Sequence, residues 1–265
     1  MLDRTDRSLV GVWWWTVDKW LLASSLILAT VGIIMVMAAS PAVAILINLP
    51  PEHFIFRQLT YLAPALVLMI SVSMLEPRPI RAISLFGLIF MIGLMIFAVI
   101  SGSEIKGATR WLSLAGFTIQ PSEFAKPLFA IVLAWLLTLW REGQDFLGWA
   151  YGSGLAAIMV GILVAQPDVG MTILILMTWG FQMFLAGMPL MFVIIAAAMT
   201  PVGFGLAYTH LPHVKLRVDK FFEGGTWQVE RAMESFAQGG YFGVGPGDGT
   251  VKLNLPDAHS DFIFA

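Results

Sequence analysis

The sequence predicts an all-α polytopic membrane protein, and three observations carry that reading. Hydrophobic residues make up 58% of the 265-residue chain and charged residues only 12%, about half the roughly 25% usual in globular chains. The mean hydropathy is +0.82. The apolar residues also gather into runs near the about 20 residues that a helix needs to cross a hydrocarbon core of roughly 30 Å.

Seven such runs are predicted as spans: 20–39, 56–75, 82–100, 124–139, 149–165, 169–187 and 189–208. Residues 1–19 form an N-terminal segment. Its Trp13, Trp14 and Trp15, with Trp20, read as an interfacial aromatic belt before the first span. This start lacks the short apolar core and small-residue cleavage site of a removable signal peptide. The region 149–208 has a single charge, Asp168. It is divided at Gln166-Pro167-Asp168 and at Ala186-Gly187-Met188-Pro189, because Pro and Gly punctuate helices.

Arg4, Arg7 and Lys19 ahead of the first span place the N-terminus in the cytoplasm. Loops starting at Pro41, Ser101, Gln166 and Thr209 then face outward, and Arg78, Arg81 and Arg141 fall inside, as the positive-inside rule expects. Arg57, Lys106, Arg110 and Lys126 fall on or near the outer side, against that rule. Either the topology is inverted, or these cations serve a purpose that overrides the rule, which an extracytoplasmic anionic ligand would supply.

Residues 209–261 are the only long polar stretch, too long for a simple connector. In it Lys215, Arg217 and Lys220 alternate with Leu216 and Val218. Its segment GGTWQVERAMESFAQGG reads as a short amphipathic helix with Val229, Met233 and Phe236 on one face. Residues 262–265 open a further apolar run, the start of an eighth span. The net charge of -2 gives no global basic field for nucleic acid, and the absence of cysteine excludes disulfides, thiolate metal sites and cysteine nucleophiles.

Four constellations could carry chemistry. In KGATRWLSLAGFTIQPSEFAK (106–126), Gln120-Pro121-Ser122-Glu123 starts a helix well, with Pro121 at its first position and Glu123 in its first turn. Glu123 and Lys126 stand three apart and can pair, either as a structural tie or as part of a polar pocket where Arg110 and Lys106 meet phosphate. Asp168 reads either as a helix cap or as a residue lining a cavity. The series Gly239, Gly240, Gly243, Gly245, Gly247 and Gly249 reads as a loop whose backbone could approach a ligand. Finally, Asp257-Ala258-His259-Ser260-Asp261 precedes Phe262 at a membrane entry. A carboxylate there can serve as a general base or as a helix cap. These few ligands alone make a poor metal site, so none is assigned.

The segments GATRWLSLAGFTIQPSEFAKP (107–127), AQPDVG (165–170) and SFAQGGYFGVGPGDGTVKLNLPDAHSDFIF (235–264) resemble, in order and spacing, the SEDS family (shape, elongation, division and sporulation) of bacterial membrane proteins. The resemblance covers the chain from about Asp18 onward. The WWWTVDKW start, the AAS after the first span and the Pro-acid-Ala-His form of the last motif are more similar to division members than to elongation members.

The resemblance implies a SEDS fold of about ten transmembrane helices with a large extracytoplasmic loop after the seventh, so the last three would lie beyond Ala265. It implies an inverting peptidoglycan glycosyltransferase that polymerises lipid II into β-1,4 glycan strands. The expected place is the outer face of the cytoplasmic (inner) membrane at the division septum. The family's essential aspartate falls on Asp261, and Trp111, Glu123 and Lys126 match other functional positions. Arg110, Lys106, Arg57, Asp168 and His259 complete the expected substrate contacts. The family usually has Glu at Asp257 and Thr at Ser260, changes that preserve the chemistry. Expected partners are lipid II, a class B penicillin-binding protein transpeptidase and other divisome proteins. No cofactor is assigned, although a divalent cation (Mg or Mn) could assist. Two other readings are a flippase for the lipid-linked precursor and a non-catalytic divisome scaffold.

Overall fold

Helices run over all seven apolar segments in the computed structural model, which describes residues 8–101, 110–114, 117–144, 147–210, 212–222, 227–240, 243–245, 250–251, 255 and 262–264. After a short α1 (Leu9–Thr16) these are α2 (Lys19–Leu46), α3 (His53–Ser73), α4 (Pro77–Ser101), α5 (Pro121–Arg141), α6 (Gly148–Ala165), α7 (Val169–Leu185) and α8 (Leu190–His210). Among the described residues five helices, α2 to α6, are long and apolar enough to cross a membrane, and α7 is a shorter apolar helix. Two helices follow, α9 (Pro212–Phe222) and α10 (Trp227–Gly239), and strands β1 (Leu112–Leu114) and β2 (Phe117–Ile119) pair antiparallel between α4 and α5. The protein is therefore an all-α polytopic membrane protein apart from this hairpin.

Two expected boundaries change. The first span does not stop before Pro41: α2 carries Pro41 inside it and ends at Leu46. Proline is tolerated within membrane helices because neighbouring groups can satisfy the freed backbone. The basic stretch around Lys215, to which the sequence reading assigns no element, is helical as α9. Both proposed breaks in 149–208 are real. Asp168 caps a new helix, and Gly187 adopts φ +94°, a conformation that ends α7 and suits glycine.

The chain divides into two compact units, Met1–Leu75 with Asp219–Ala265, and Glu76–Val218. In the first, α2 packs on α3, and Trp13 Nε1 donates to Ser73 Oγ at 2.8 Å. Lys19 Nζ stands 5.4 and 4.9 Å from the ring centroids of Trp14 and Trp15, an arrangement that draws its charge to the aromatic faces. A small core joins Val43, Ala232 and Leu255 with Phe54 and Phe262. Helix α10 is the expected amphipathic helix, but it packs through Ala232 and leaves Val229, Met233 and Phe236 exposed. After it, Gly240, Gly243 and Gly245 take positive φ values of 57°, 70° and 121°, turns that need glycine.

The second unit is a bundle of α4 to α8. Its apolar core includes Leu88, Met95, Phe129, Leu133, Met159 and Ile175; Ser84 is buried as well, and Gln182 Nε2 donates to the Ala130 carbonyl at 3.1 Å between α7 and α5. Phe86, Ile89, Phe90 and Ile100 face outward and are exposed, which is the surface a hydrocarbon solvent requires. Small residues set the closest approach: a Cβ at Gly148 would stand 2.3 Å from the Leu136 carbonyl oxygen, and one at Gly152 would stand 2.6 Å from Leu133 Cδ1. Membrane helices gain contact in this way, since apolar burial alone gives them little drive to associate.

Candidate functional site at the end of the bundle

One end of the second unit is polar, and the sequence dictates how it forms. Helix α5 begins at Pro121, as expected, with Gln120 ahead of it and Glu123 in its first turn. Helix α6 stops at Ala165, and the Gln166-Pro167-Asp168 turn starts α7. The β1–β2 hairpin brings the chain from Arg110 back to Gln120.

Asp168 ties these pieces together. Its Oδ1 accepts from the Met171 backbone N–H at 3.3 Å, capping α7. Its Oδ2 takes Arg110 Nη1 at 3.0 Å and Gln120 Nε2 at 3.4 Å. The Asp168 side chain is 8% exposed and that of Arg110 24%. A buried carboxylate is tolerable only when paired and hydrogen-bonded, and here both oxygens are engaged. Thus the cap reading of Asp168 holds, and the same carboxylate ties Arg110 and Gln120 to the start of α7.

Around this pair, Gln120 Nε2 also lies 3.1 Å from Ser122 Oγ. Gln166, almost wholly buried, donates from Nε2 to the Met95 carbonyl of α4 at 3.1 Å. Sequence reading had treated Gln166 only as part of a helix break; a glutamine closing an apolar run was the available signal. Two buried polar atoms lack a partner here among the described residues, Arg110 Nε and Gln166 Oε1. Trp111, next to Arg110, is half-buried.

Lys126 Nζ meets Glu123 Oε2 at 2.6 Å, the expected pair one turn apart on α5. The side chains are 26% and 51% exposed, so this pair is far more open than Arg110–Asp168. Arg57 is exposed on α3, in the first unit. Lys106, Asp257, His259, Ser260 and Asp261 lie outside the described residues. Among the described residues no group of three His, Asp or Glu side chains could hold a metal ion.

Arg110 and the turn 166–168, both expected on the outer face, meet at one end of the bundle through the Arg110–Asp168 pair. An arginine held by one nitrogen is a fixed cation at a membrane surface, suited to phosphate oxygens.

The family model for FtsW, RodA and SpoVE, described as "Cell cycle protein", matches residues 19–265. A protein of Caulobacter vibrioides (strain NA1000 / CB15N), named a probable peptidoglycan glycosyltransferase FtsW, is 40% identical over 266 residues, covering 99% of this chain and 68% of that protein. The protein of the same name from Acinetobacter baylyi is 32% identical over 249 residues, covering 90% of this chain and 62% of that one. The chain thus spans about two thirds of the length of these relatives. Among solved structures, a peptidoglycan synthase complex described as coordinating polymerization and crosslinking matches with TM-score 0.66 at 22% identity, over 84% of this chain and 66% of that one. The rod shape determining protein RodA of Thermus thermophilus matches with TM-score 0.55 at 24% identity, over 70% and 60% of the two chains. At these identities the structures speak for the fold.

Proposed function

The chain belongs to the FtsW/RodA/SpoVE (SEDS) family, and from that membership we propose that it is a peptidoglycan glycosyltransferase polymerising lipid II into β-1,4 glycan strands. The observation that carries the reading is the family match through residue 265, which takes in the Asp257–Asp261 motif. Its setting is the outer face of the bacterial cytoplasmic membrane during septal wall synthesis. The 40% identity to a protein named FtsW supports the division role.

In the proposed reaction one lipid II offers its GlcNAc 4-hydroxyl. The growing strand, linked to undecaprenyl pyrophosphate, is the donor. Asp261 takes the hydroxyl proton as general base while the oxygen attacks the MurNAc anomeric carbon. The C–O bond to pyrophosphate breaks, and inversion converts the α-linked donor into a β-1,4 link. The departing pyrophosphate needs fixed positive charge. Arg110, held by Asp168, and Lys126, held by Glu123, supply it, with Arg57, Lys106 and His259 as further contacts. The carboxylates keep these cations in place before substrate arrives. A class B penicillin-binding protein transpeptidase is the proposed partner for crosslinking, in keeping with the synthase complex that shares the fold.

A flippase would need polar groups along the path between the two membrane faces. In the second unit the ion pairs Arg110–Asp168 and Glu123–Lys126 lie together about the starts of α5 and α7, and this clustering at one end favours a transferase. The discriminating experiment gives lipid II to the native protein and its transpeptidase in detergent, where there are no two sides to cross. Glycan strands support the transferase. Monomeric lipid II, together with transbilayer movement in proteoliposomes, would support the flippase.

A further inference from the structure

We propose that the end of the second unit opposite the Arg110–Asp168 pair binds a zwitterionic phospholipid, with Arg141 taking the phosphate and Glu142 the ammonium. A cleft of about 360 Å³ opens there between the last turns of α5 and α7. Thr138, Arg141, Glu142 and Gln182 line its polar side, and Ala134, Leu137, Leu185 and Ala186 its apolar side.

The charges select the headgroup. Among the described residues no carboxylate pairs with Arg141. The guanidinium rests against Gly187, where a Cβ would stand 2.5 Å from Nη1; glycine leaves the room. Glu142 Oε2 accepts from Gln144 Nε2 at 2.8 Å, which holds this carboxylate at the cleft. The carbonyl end of α5 adds partial negative charge that favours an ammonium. A headgroup with one sign would satisfy one of the two residues and be repelled by the other. A headgroup with a phosphate and an amine satisfies both.

Depth and lining select a lipid over a free solute. Helix α5 has 21 residues, a rise of about 30 Å, which is the hydrocarbon thickness. With its start at one membrane surface, Arg141 therefore lies at headgroup level on the other. The apolar wall leads from the charges into the hydrocarbon, where an acyl chain would follow it. The site is separated from the glycan chemistry by the length of α5, so its success or failure is independent of the glycosyltransferase reading.

Native mass spectrometry of the purified full chain in detergent tests this, with equimolar phosphatidylethanolamine and phosphatidylglycerol. The phosphatidylethanolamine adduct should exceed the other at least about fivefold. It should fall by a similar factor in Arg141→Ala. It should fall likewise in Ala134→Phe, which fills the exposed wall of the cleft without changing charge. Melting curves establish that each variant is folded, and Ala134→Phe carries the test if Arg141→Ala does not fold. Soluble phosphoethanolamine should not displace the lipid. Equal adducts of the two lipids, a preference for phosphatidylglycerol, adducts unchanged in the folded variants, or displacement by the soluble headgroup would each overturn the proposal.

Discussion

Asp168 holds Arg110 at 3.0 Å with one carboxylate oxygen and caps α7 with the other. Two residues 58 positions apart are thereby fixed at one end of the bundle, and stability and charge placement rest on the same side chain.

Removing that carboxylate should separate its two jobs. Asp168→Ala loses the cap, worth about 1 kcal/mol, and strands a partly buried guanidinium. Breaking buried pairs costs about 3–5 kcal/mol, and the 24% exposure of Arg110 places the expected loss at the lower end. Asp168→Asn keeps a capping oxygen and loses only the charge, so it should cost about half as much. Thermal unfolding in detergent measures both. A melting point for Asp168→Ala equal to wild type would contradict the pairing described here.

The Glu123–Lys126 pair should behave oppositely. It is half exposed and one turn apart, a class of pair worth about 0–1 kcal/mol. Lys126→Ala should therefore melt within a degree or two of wild type while slowing glycan synthesis at least about tenfold, through lost pyrophosphate stabilisation. Equal losses in stability and activity would make the pair structural.

Helix packing gives a third expectation. Gly148→Ala forces a Cβ towards the Leu136 carbonyl at 2.3 Å. Backbone cannot move aside as a side chain can, so overpacking of about 1–3 kcal/mol is expected. Gly154→Ala and Gly161→Ala meet open space and should be neutral. Melting of the three variants in parallel decides.

The chain has no cysteine, which makes its topology directly testable. A single cysteine at Thr118, exposed on the hairpin, should react with an impermeant maleimide in intact cells, and one at Glu142 only after permeabilisation. The reverse pattern would invert the proposed orientation.

Much of this architecture was legible in the sequence because its signals are local. Pro121 ahead of an apolar run marked the start of α5, and Gly187 marked the end of α7. The β1–β2 hairpin was missed because strands of three residues leave no periodicity to read. Helix α9 was missed because alternating Lys215, Leu216, Arg217 and Val218 do not display a helical stripe. The face of α10 was found, yet its exposure could not be read from composition. The tie between Arg110 and Asp168 was hidden for a different reason: each residue was singled out alone, but a pairing across two loops is set by tertiary packing.

The most direct test compares glycan strands made from purified lipid II by the native protein with its transpeptidase, wild type against Asp261→Asn, with folding and complex formation verified for both. The account predicts that the variant assembles normally and makes at least about a hundredfold less polymer, the scale of losing a general base. Strand synthesis at the wild-type rate by an intact Asp261→Asn complex would contradict it.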